Sequence, residues 1–344
     1  MADNVFLGYD NFVLENAIKS ALDTKLDINR FLTPDYDLVE NAGMTKKIHR
    51  YVITDDSDVD DLARGEGNSN FIEARFDEFA YTVGRTQGQI IYYDDDILTD
   101  PALIDAKVRF LSESMVNNWT RKAIAEFGKT ENIYECSGYN LENFANALSK
   151  YTAVYEDTAG LFFLANQKLD AKIRKMLGDD LKYVEDYIRT GAIGAVLGIP
   201  VYLSKAVPEG LIFLATREAV KAFVKRNVSI EQDRDINTKK NNIVASRYSV
   251  IALVDETKCV AIGAAQSTAV TITSATKATT TIAGAATDGA YVEAFVNGVE
   301  VGHATASSGY SITSSKTLAA GDVVKVIAHL DGKVNSIASV TVAE

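Results

Sequence analysis

The amino-acid composition changes abruptly at Gly263–Gln266. Residues before this point mix long charged helical patterns with apolar strands, whereas Gln266–Glu344 is dominated by Thr, Ser, Ala, Gly and Val in short alternating runs. Alternation of apolar and polar residues with a period of two is typical of half-buried strands. The sequence therefore predicts an α+β body, residues 1–263, joined to a small all-β domain, residues 266–344.

Charge and apolar content exclude several classes of protein. The 344 residues carry a net charge of −12, so most of the surface should repel a phosphate backbone, and direct DNA binding is not the expected main activity. No apolar run approaches the roughly 20 residues that span a bilayer, and Met1–Asp10 lacks the pattern of a signal peptide. We therefore expect a protein folded in a cytoplasm, with Cys136 and Cys259 as separate buried thiols.

One long helix is the strongest signal in the body. Asp100 is a good N-cap and Pro101 a good first helical residue, and the apolar period continues to a stop at Gly128. A helix of this length would be roughly 40 Å long and could serve as a spine. The residues predicted to form its apolar face are Ile104, Val108, Leu111, Met115 and Trp119.

The segments before this helix predict an arm and a hairpin. Asn11–Asp27 has the i, i+4 apolar spacing of an amphipathic helix, and the turn-rich stretch around Pro34 ends it. Lys47–Thr54 and Phe71–Thr82 alternate like strands, and the acidic and Gly/Asn-rich Asp55–Asn70 connects them. Two strands alone are marginal in water, so we expect the hairpin to lie on another surface.

The rest of the body mixes helical and strand patterns, and Val228–Asn242 is so charged that it is interpreted as a loop. Strands interleaved with helices predict a mixed sheet with helices packed against it. The predicted helices are Leu141–Tyr151, Gln167–Leu177 and Arg217–Lys225. The predicted strands are Gly160–Ala165, Gly198–Leu203, Leu211–Ala215 and Tyr248–Val254.

The C-terminal segment predicts seven short strands separated by turns. Asn297–Gly298 and Asp331–Gly332 favour two-residue hairpins, and Asp288–Gly289 and Gly321–Asp322 are further turn signals. Seven strands in about eighty residues indicate an immunoglobulin-like sandwich without the Cys…Trp…Cys core of antibody domains. The predicted strands are Ala269–Thr273, Thr279–Ala283, Tyr291–Val296, Glu300–Thr305, Tyr310–Thr313, Val323–Leu330 and Ile337–Val342.

Two acidic runs are candidates for metal or acid–base sites. Asp55–Asp61 alternates like a calcium loop, but Asp61 stands at the glycine position and Gly67 at the final glutamate position, so a solvated loop is preferred. Asp94–Asp96 could form a carboxylate cluster, but acids just before a helix also stabilise its positive end. We prefer helix-end electrostatics for this run.

The remaining candidates also lack the pattern of a site. His49 lies in the hairpin, whereas His303 and His329 lie in the C-terminal domain, so a triad or a His-ligated metal is not expected. Gly191–Gly198 lacks the Lys-Ser/Thr and the spacing of a phosphate loop and is interpreted as a tight turn before a strand. We expect no catalytic, cofactor-binding or metal-binding residues, and no enzymatic activity.

Four passages, in order, resemble the major capsid proteins of tailed double-stranded DNA phages with the Hong Kong 97-like fold. The most informative is Gly88–Phe127 (GQIIYYDDDILTDPALIDAKVRFLSESMVNNWTRKAIAEF), which resembles the family's strand and spine helix. The others are Leu161–Leu177, Gly194–Leu214 and Tyr248–Ile262, and the resemblance covers about Met1–Gly263. The C-terminal segment resembles bacterial immunoglobulin-like modules appended to phage structural proteins.

The resemblance implies a place for each segment of the chain. Copies would assemble as pentamers and hexamers into an icosahedral shell around DNA. The C-terminal domain would project outward, where it would either touch surface glycans or serve as a passive decoration or an extra stabilising contact. The implied parts are an N-terminal arm (1–34, from Asn4 to Pro34), an extended loop (47–82), the strand and spine helix of the peripheral domain (88–128), an axial domain (about 131–244) and closing strands (245–263).

Two departures and three alternatives qualify this interpretation. No Lys falls between Lys47 and Lys107, so the isopeptide cross-link of some family members is not predicted. The arm begins almost at once, so a separate scaffold protein is expected, with a portal as a further partner. The alternatives are an encapsulin-like compartment, a phage tail-tube protein, against which the long helix argues, and a hydrolase or metal enzyme, for which no site is found.

Overall fold

The computed structural model describes residues 27–40, 43–53, 62, 64–67, 74–100, 102–151, 160–169 and 194–343. Most of the predicted helix Asn11–Asp27, of the connection Asp55–Asn70 and of the predicted helix Gln167–Leu177 lies outside these residues. The chain divides into two compact units. Unit 1 comprises Met1–Thr45, Thr82–Phe127 and Thr216–Leu253, and unit 2 comprises Lys46–Tyr81, Gly128–Ala215 and Val254–Glu344.

Unit 1 is built on a four-stranded sheet with the order β1-β10-β11-β4. β1 runs parallel to β10, and the other pairs are antiparallel. The strands are β1 (Thr33–Asp35), β4 (Gly84–Tyr93), β10 (Val220–Asp235) and β11 (Lys240–Leu253). The helices of this unit are α1 (Asp37–Glu40), α2 (Asp94–Thr99) and α3 (Ala102–Phe127).

The helix α3 confirms the predicted long helix. It has 26 residues and is therefore about 39 Å long. The carboxylate of Asp100 accepts a hydrogen bond from the backbone N–H of Ala102 at 3.0 Å, as expected of an N-cap. All five residues of the predicted apolar face are buried. The helix packs so closely on β4 that a Cβ at Gly88 would collide with Leu111.

The hairpin of β10 and β11 replaces two predicted elements. The predicted helix Arg217–Lys225 and the predicted loop Val228–Asn242 are wrong, because these residues form β10 and the first part of β11. Near Ala222, β10 pairs with a strand on each edge and also buries successive residues, and register shifts around Arg226 break the period of two. Its far half alternates between half-buried and exposed charged residues, which led to the loop interpretation.

The hairpin also changes how the body divides. The resemblance implies one segment, the axial domain, over residues 131–244 approximately. In the structure, residues 216–253 group instead with α3, because β11 pairs with β4 along ten residues of each strand. This strand pairing joins residues that are 147 to 165 positions apart in the chain, and composition carries no signal of it.

Unit 2 contains a six-stranded mixed sheet with the order β5-β12-β9-β6-β8-β7. The helix α4 (Leu141–Ser149) confirms a predicted helix and packs Phe144 edge-on against Phe163 of β6, with ring centroids 5.0 Å apart. Every residue of β6, β9 and β12 is buried, as expected for strands in the middle of a covered sheet. The strands are β5 (Ile133–Glu135), β6 (Phe162–Asn166), β7 (Gly194–Val196), β8 (Ile199–Ser204), β9 (Leu211–Ala215) and β12 (Cys259–Gly263).

A two-stranded hairpin also belongs mainly to unit 2. The strands β2 (Thr45–Ile53) and β3 (Ala74–Thr82) confirm the predicted hairpin. Glu78 of β3 accepts hydrogen bonds from Lys47 at 2.7 Å and contacts His49 at 3.1 Å across the pair. These contacts tie the two strands together on one face.

The C-terminal domain has two antiparallel sheets, with the orders β13-β14-β17 and β16-β15-β18-β19, around one buried apolar cluster. Asn297 and Gly298 have φ of 50° and 81°, which confirms the predicted two-residue hairpin. The strands are β13 (Ser274–Ala275), β14 (Thr281–Gly284), β15 (Tyr291–Val296), β16 (Val299–Thr305), β17 (Tyr310–Thr313), β18 (Val323–His329) and β19 (Ser336–Thr341).

Two details of the C-terminal domain differ from the prediction. The first strand is Ser274–Ala275 and not Ala269–Thr273, although Thr271 and Thr273 still donate backbone hydrogen bonds to Ala285 and Ala283. The Asp331–Gly332 hairpin is wrong, because β18 and β19 are joined by residues 330–335. This longer loop lies against other residues of unit 2, among them Ala264 and Glu209.

Candidate functional site

The acidic run Asp94–Asp96 ties α2 to the β10–β11 hairpin. Asp94 accepts hydrogen bonds from Arg234 at 2.7 Å and from Asn241 at 2.8 Å. These bonds, that of Arg234 above all, hold the pKa of Asp94 below its usual value. Asp96 accepts from the backbone N–H of Tyr93 at 3.0 Å, as a residue at the helix start does. These contacts stabilise the start of α2 and attach it to the β10–β11 hairpin, which is a structural role of the kind expected of acids at a helix start.

The histidines do not converge. Each contacts a glutamate: His49 with Glu78 at 3.1 Å, His303 with Glu300 at 3.4 Å and His329 with Glu293 at 2.9 Å. Within the described residues, no group of three or more His, Cys, Asp or Glu side chains is arranged to hold a metal ion. In the same residues, no helix is long and apolar enough to cross a membrane. The acidic run Asp55–Asp61 lies outside the described part of the chain.

The cysteines and the glycine-rich run have structural surroundings. Cys259 is fully buried and Cys136 half-buried, and burial raises the pKa of both thiols, which keeps them protonated and unreactive. Leu197 and Gly198 have φ of 53° and 81° and form the tight turn between β7 and β8. This confirms the turn predicted at the end of Gly191–Gly198.

The residues that do converge lie where the C-terminal domain meets the rest of unit 2; we call this contact the joint. Lys325 of β18 forms an ion pair with Glu131 at 2.7 Å, and their side chains are only 12% and 20% exposed. Exposed ion pairs contribute little, whereas removing one partner of a desolvated pair is costly. This pair therefore fixes the domain more firmly than a surface contact would.

A hydrogen-bonded chain forms the second part of the joint. The side-chain amide of Asn335 donates to the backbone carbonyls of Gly128 at 2.8 Å and Thr130 at 3.1 Å. Its oxygen contacts Nδ1 of His329 at 3.0 Å, and Nε2 of His329 contacts Glu293. Burial by itself would raise the pKa of Glu293, but His329, with Lys129 and His303 nearby, holds it below the usual value.

The chain enters the C-terminal domain without a free linker. Gln266, which is buried, donates to the carbonyls of Ala328 at 2.7 Å and Val334 at 3.3 Å. The N–H of Val334 donates to the carbonyl of Ala264 at 3.1 Å, so the 330–335 loop pairs with the segment that follows β12. Any side chain at Gly332 would meet the carbonyl of Glu209 at 2.7 Å, and this close approach explains the glycine.

The joint is not among the features predicted from the sequence, although the sequence contains one signal of it. In a sandwich with solvent on its outer faces, strands alternate between apolar and polar residues. The runs Ala294–Val296 of β15 and Val326–Ala328 of β18 are instead continuously apolar. Continuous apolar runs indicate a strand that is covered on both faces.

Two of the large apolar side chains that unit 1 exposes lie on elements that meet at the start of α2; we call this region the apolar end of unit 1. Asp94, the first residue of α2, accepts from Arg234 and donates through its N–H to the carbonyl of Lys239, so α2 lies beside the β10–β11 turn. Leu98 of α2 is 85% exposed and Ile236 of the turn is 72% exposed. Neighbouring exposed apolar side chains often mark a surface that another protein covers.

Comparison with known proteins gives one curated relative. No family model matches the chain. The major capsid protein of Staphylococcus phage phiMR11 is 35% identical over 86 residues, which are 25% of this chain and 29% of the relative. The chain thus matches less than a third of the length of this relative.

Comparison with solved structures shows the fold. A structure from Mycobacterium phage Che8 matches with a TM-score of 0.52 and 15% identity over 67% of this chain and 89% of that one. The capsid of Ralstonia phage GP4 has a TM-score of 0.52 and 7% identity over 70% and 89%. A virus-like particle from Pyrococcus furiosus has a TM-score of 0.51 and 12% identity over 72% and 97%. The chain therefore has a fold similar to that of phage capsid subunits.

Proposed function

We propose that this chain is the major capsid protein of a tailed double-stranded DNA phage, with the Hong Kong 97-like fold, and that it has no enzymatic role. Copies assemble as pentamers and hexamers into an icosahedral shell that encloses the DNA. The observation that carries the proposal is the fold, which phage capsid structures share over about two thirds of the chain. The phiMR11 relative supports the same function.

Each part of the structure has a role in the proposal. Unit 1 with α3 forms the peripheral domain, the six-stranded sheet forms the axial domain, and β2 with β3 forms the base of the extended loop. Residues 1–34 form the N-terminal arm. The C-terminal domain, 266–344, is an outward-facing immunoglobulin-like sandwich, which its three-plus-four strand arrangement supports.

The exposed apolar end of unit 1 supplies contacts between copies in this proposal. Leu98 and Ile236 are too exposed to stabilise the single chain, but contact with a second copy would bury them. The acidic net charge of −12 supports a shell that encloses DNA without sequence-specific binding.

The proposed surroundings follow from the same role. The protein is located in the virion and assembles in the host bacterial cytoplasm with a separate scaffold protein and a portal. Contact of the C-terminal domain with surface glycans is proposed by fold analogy with appended immunoglobulin-like modules. No membrane partner is proposed.

Electron microscopy tests the proposal directly. The full-length chain is expressed alone and together with the scaffold protein of its phage, and the products are imaged in negative stain. We expect closed hollow particles of uniform size, at least with the scaffold. Monomers under both conditions, or tubes, would contradict the proposal.

A second candidate is an encapsulin-like compartment that loads an enzyme. The match to the virus-like particle from Pyrococcus furiosus, which covers 97% of that chain, favours keeping it. A compartment should assemble without a scaffold and enclose a protein that carries a cargo peptide, so mass spectrometry of particles formed alone distinguishes the two. The tail-tube alternative is disfavoured because α3 is a long helix and tube subunits are mainly β.

A further inference from the structure

The two central strands of the four-stranded sheet, β15 and β18, bury side chains on both faces. On β15 and β18 the inward side chains, such as Val292 and Val326, belong to the core of the sandwich. The outward side chains include Phe295 at 4% exposure and Ile327 at 3%, neither of which belongs to that core. Burial of two large apolar side chains on an outer face requires a second contact surface.

Part of that surface is the β2–β3 hairpin. The ring of Phe79 in β3 meets the ring of Phe295 edge-on, with centroids 5.6 Å apart and an interplanar angle of 63°. Edge-on aromatic pairs at this distance are attractive beyond the area that they bury. Lys325, which is paired with Glu131, lies 5.7 Å from the centroid of the Phe295 ring and so adds a cation–π contact.

The residues that follow α3 complete the contact. Lys129 lies 5.5 Å from the centroid of the Tyr81 ring, two residues along β3 from Phe79. Lys129 also lies close enough to Glu293 of β15 to help lower its pKa. The hairpin base, residues 128–131 and the outer face of the sheet therefore meet at one place.

We propose that the C-terminal domain is a brace for the β2–β3 hairpin of its own chain. Its outer sheet face holds Phe79 and residues 128–131, and so fixes the orientation of the described hairpin strands relative to the C-terminal domain. A two-stranded hairpin is marginally stable alone and needs such a surface. A domain that only projects from the surface would not need to bury Phe295 and Ile327 on its outer face. A domain that braces the hairpin needs them, because they form the contact surface.

Hydrogen–deuterium exchange of the full-length, unassembled chain tests this proposal. The variant is Phe295→Ala, and the matched control is Val299→Ala, which shortens a half-exposed side chain of the same sheet. We expect Phe295→Ala to raise exchange rates in residues 45–53 and 74–82 by roughly two- to tenfold, the range of an aromatic pair. The control should leave these rates unchanged.

A second variant keeps the test decisive if Phe295→Ala also loosens the sandwich. Exchange in residues 281–284 and 310–313 reports the fold of the domain in each variant. Phe79→Ala changes only the hairpin side and should raise the hairpin rates equally, and the double variant should add nothing further. Unchanged hairpin rates in Phe79→Ala, or additive effects in the double variant, would overturn the proposal. The measurement does not need particles, so its outcome is independent of the proposed capsid function.

Discussion

Unit 1 and the C-terminal domain differ in how many large apolar side chains they expose to solvent. Among the described residues, unit 1 exposes nine large apolar side chains, with Leu98 and Ile236 the most exposed. The C-terminal domain exposes three, and none is more than half exposed. Its three-stranded sheet presents short polar side chains to solvent instead, such as those of Thr281, Ser311 and Thr313.

The difference indicates which surfaces need another molecule. The apolar end of unit 1 is suited to contact with another protein surface, which is a further copy of the chain in the proposed shell. The C-terminal domain exposes its Thr/Ser face to solvent and packs the centre of its opposite face against its own chain at the joint. The proposed assembly contacts and the intramolecular contact therefore involve different regions.

The largest expected effect is on assembly. We expect the double variant Leu98→Asp/Ile236→Asp to abolish particles under conditions in which the wild type assembles, because an interface would have to bury two carboxylates. The melting temperature of the unassembled chain should hardly change, since both positions are exposed. Sedimentation and negative-stain microscopy measure the first effect, and calorimetry measures the second.

Val299→Asp is the control for the assembly variant. It places the same charge on a half-exposed apolar position of the C-terminal domain and should leave particles intact. If it blocks assembly as completely as the unit 1 variant, the contrast between the two surfaces is wrong.

The next largest effect concerns the ion pair of the joint. Lys325→Met should lower the free energy of unfolding by about 2 kcal/mol, because it leaves Glu131 largely buried without its partner. Lys47→Met is a matched control: the Lys47–Glu78 distance is also 2.7 Å, but the Lys47 side chain is 64% exposed, so the loss of free energy should be clearly smaller than that of Lys325→Met. Urea unfolding measures both. Equal losses of unfolding free energy in the two variants would show that the Lys325–Glu131 pair stabilises the chain no more than an exposed ion pair does.

The smallest effect is a dependence on pH. The pKa of Glu293 is lower in the folded chain than the usual value of about 4.3, so its stabilising contribution is present above that value and is lost as the pH falls through the folded pKa. Glu293→Gln removes this contribution. We therefore expect the stability difference between wild type and variant to shrink as the pH is lowered from about 6 to about 3. A difference that stays constant over this range in urea unfolding would contradict the role of Glu293 at the joint.

Features fixed by local chemistry could be predicted from the sequence. Asp100 caps α3 through a hydrogen bond to a residue two positions away, and Asn297–Gly298 adopts the positive φ angles that a two-residue hairpin requires. Both depend on neighbouring residues alone. The buried face of α3 could also be predicted, because its apolar residues recur with the helical period in the sequence.

Features fixed by distant partners could not be predicted. Ala222 and its neighbours look helical in isolation and become a strand because β1 and β11 pair with both edges of β10. The joint depends on Phe79 and Phe295, which are 216 positions apart in the chain and carry no pairing signal in a single sequence. The continuous apolar runs on β15 and β18 reveal that a second surface exists, but not which segment supplies it.

The direct passage from β12 into the C-terminal domain has a mechanical consequence. β12 lies inside the six-stranded sheet, with β5 on one edge and β9 on the other, and the chain reaches Gln266 only three residues after its end. A force that pulls the domain away along β12 would load the hydrogen bonds on both edges in shear, where many must break together. We therefore expect the domain to resist detachment under tension better than a module on a flexible tether.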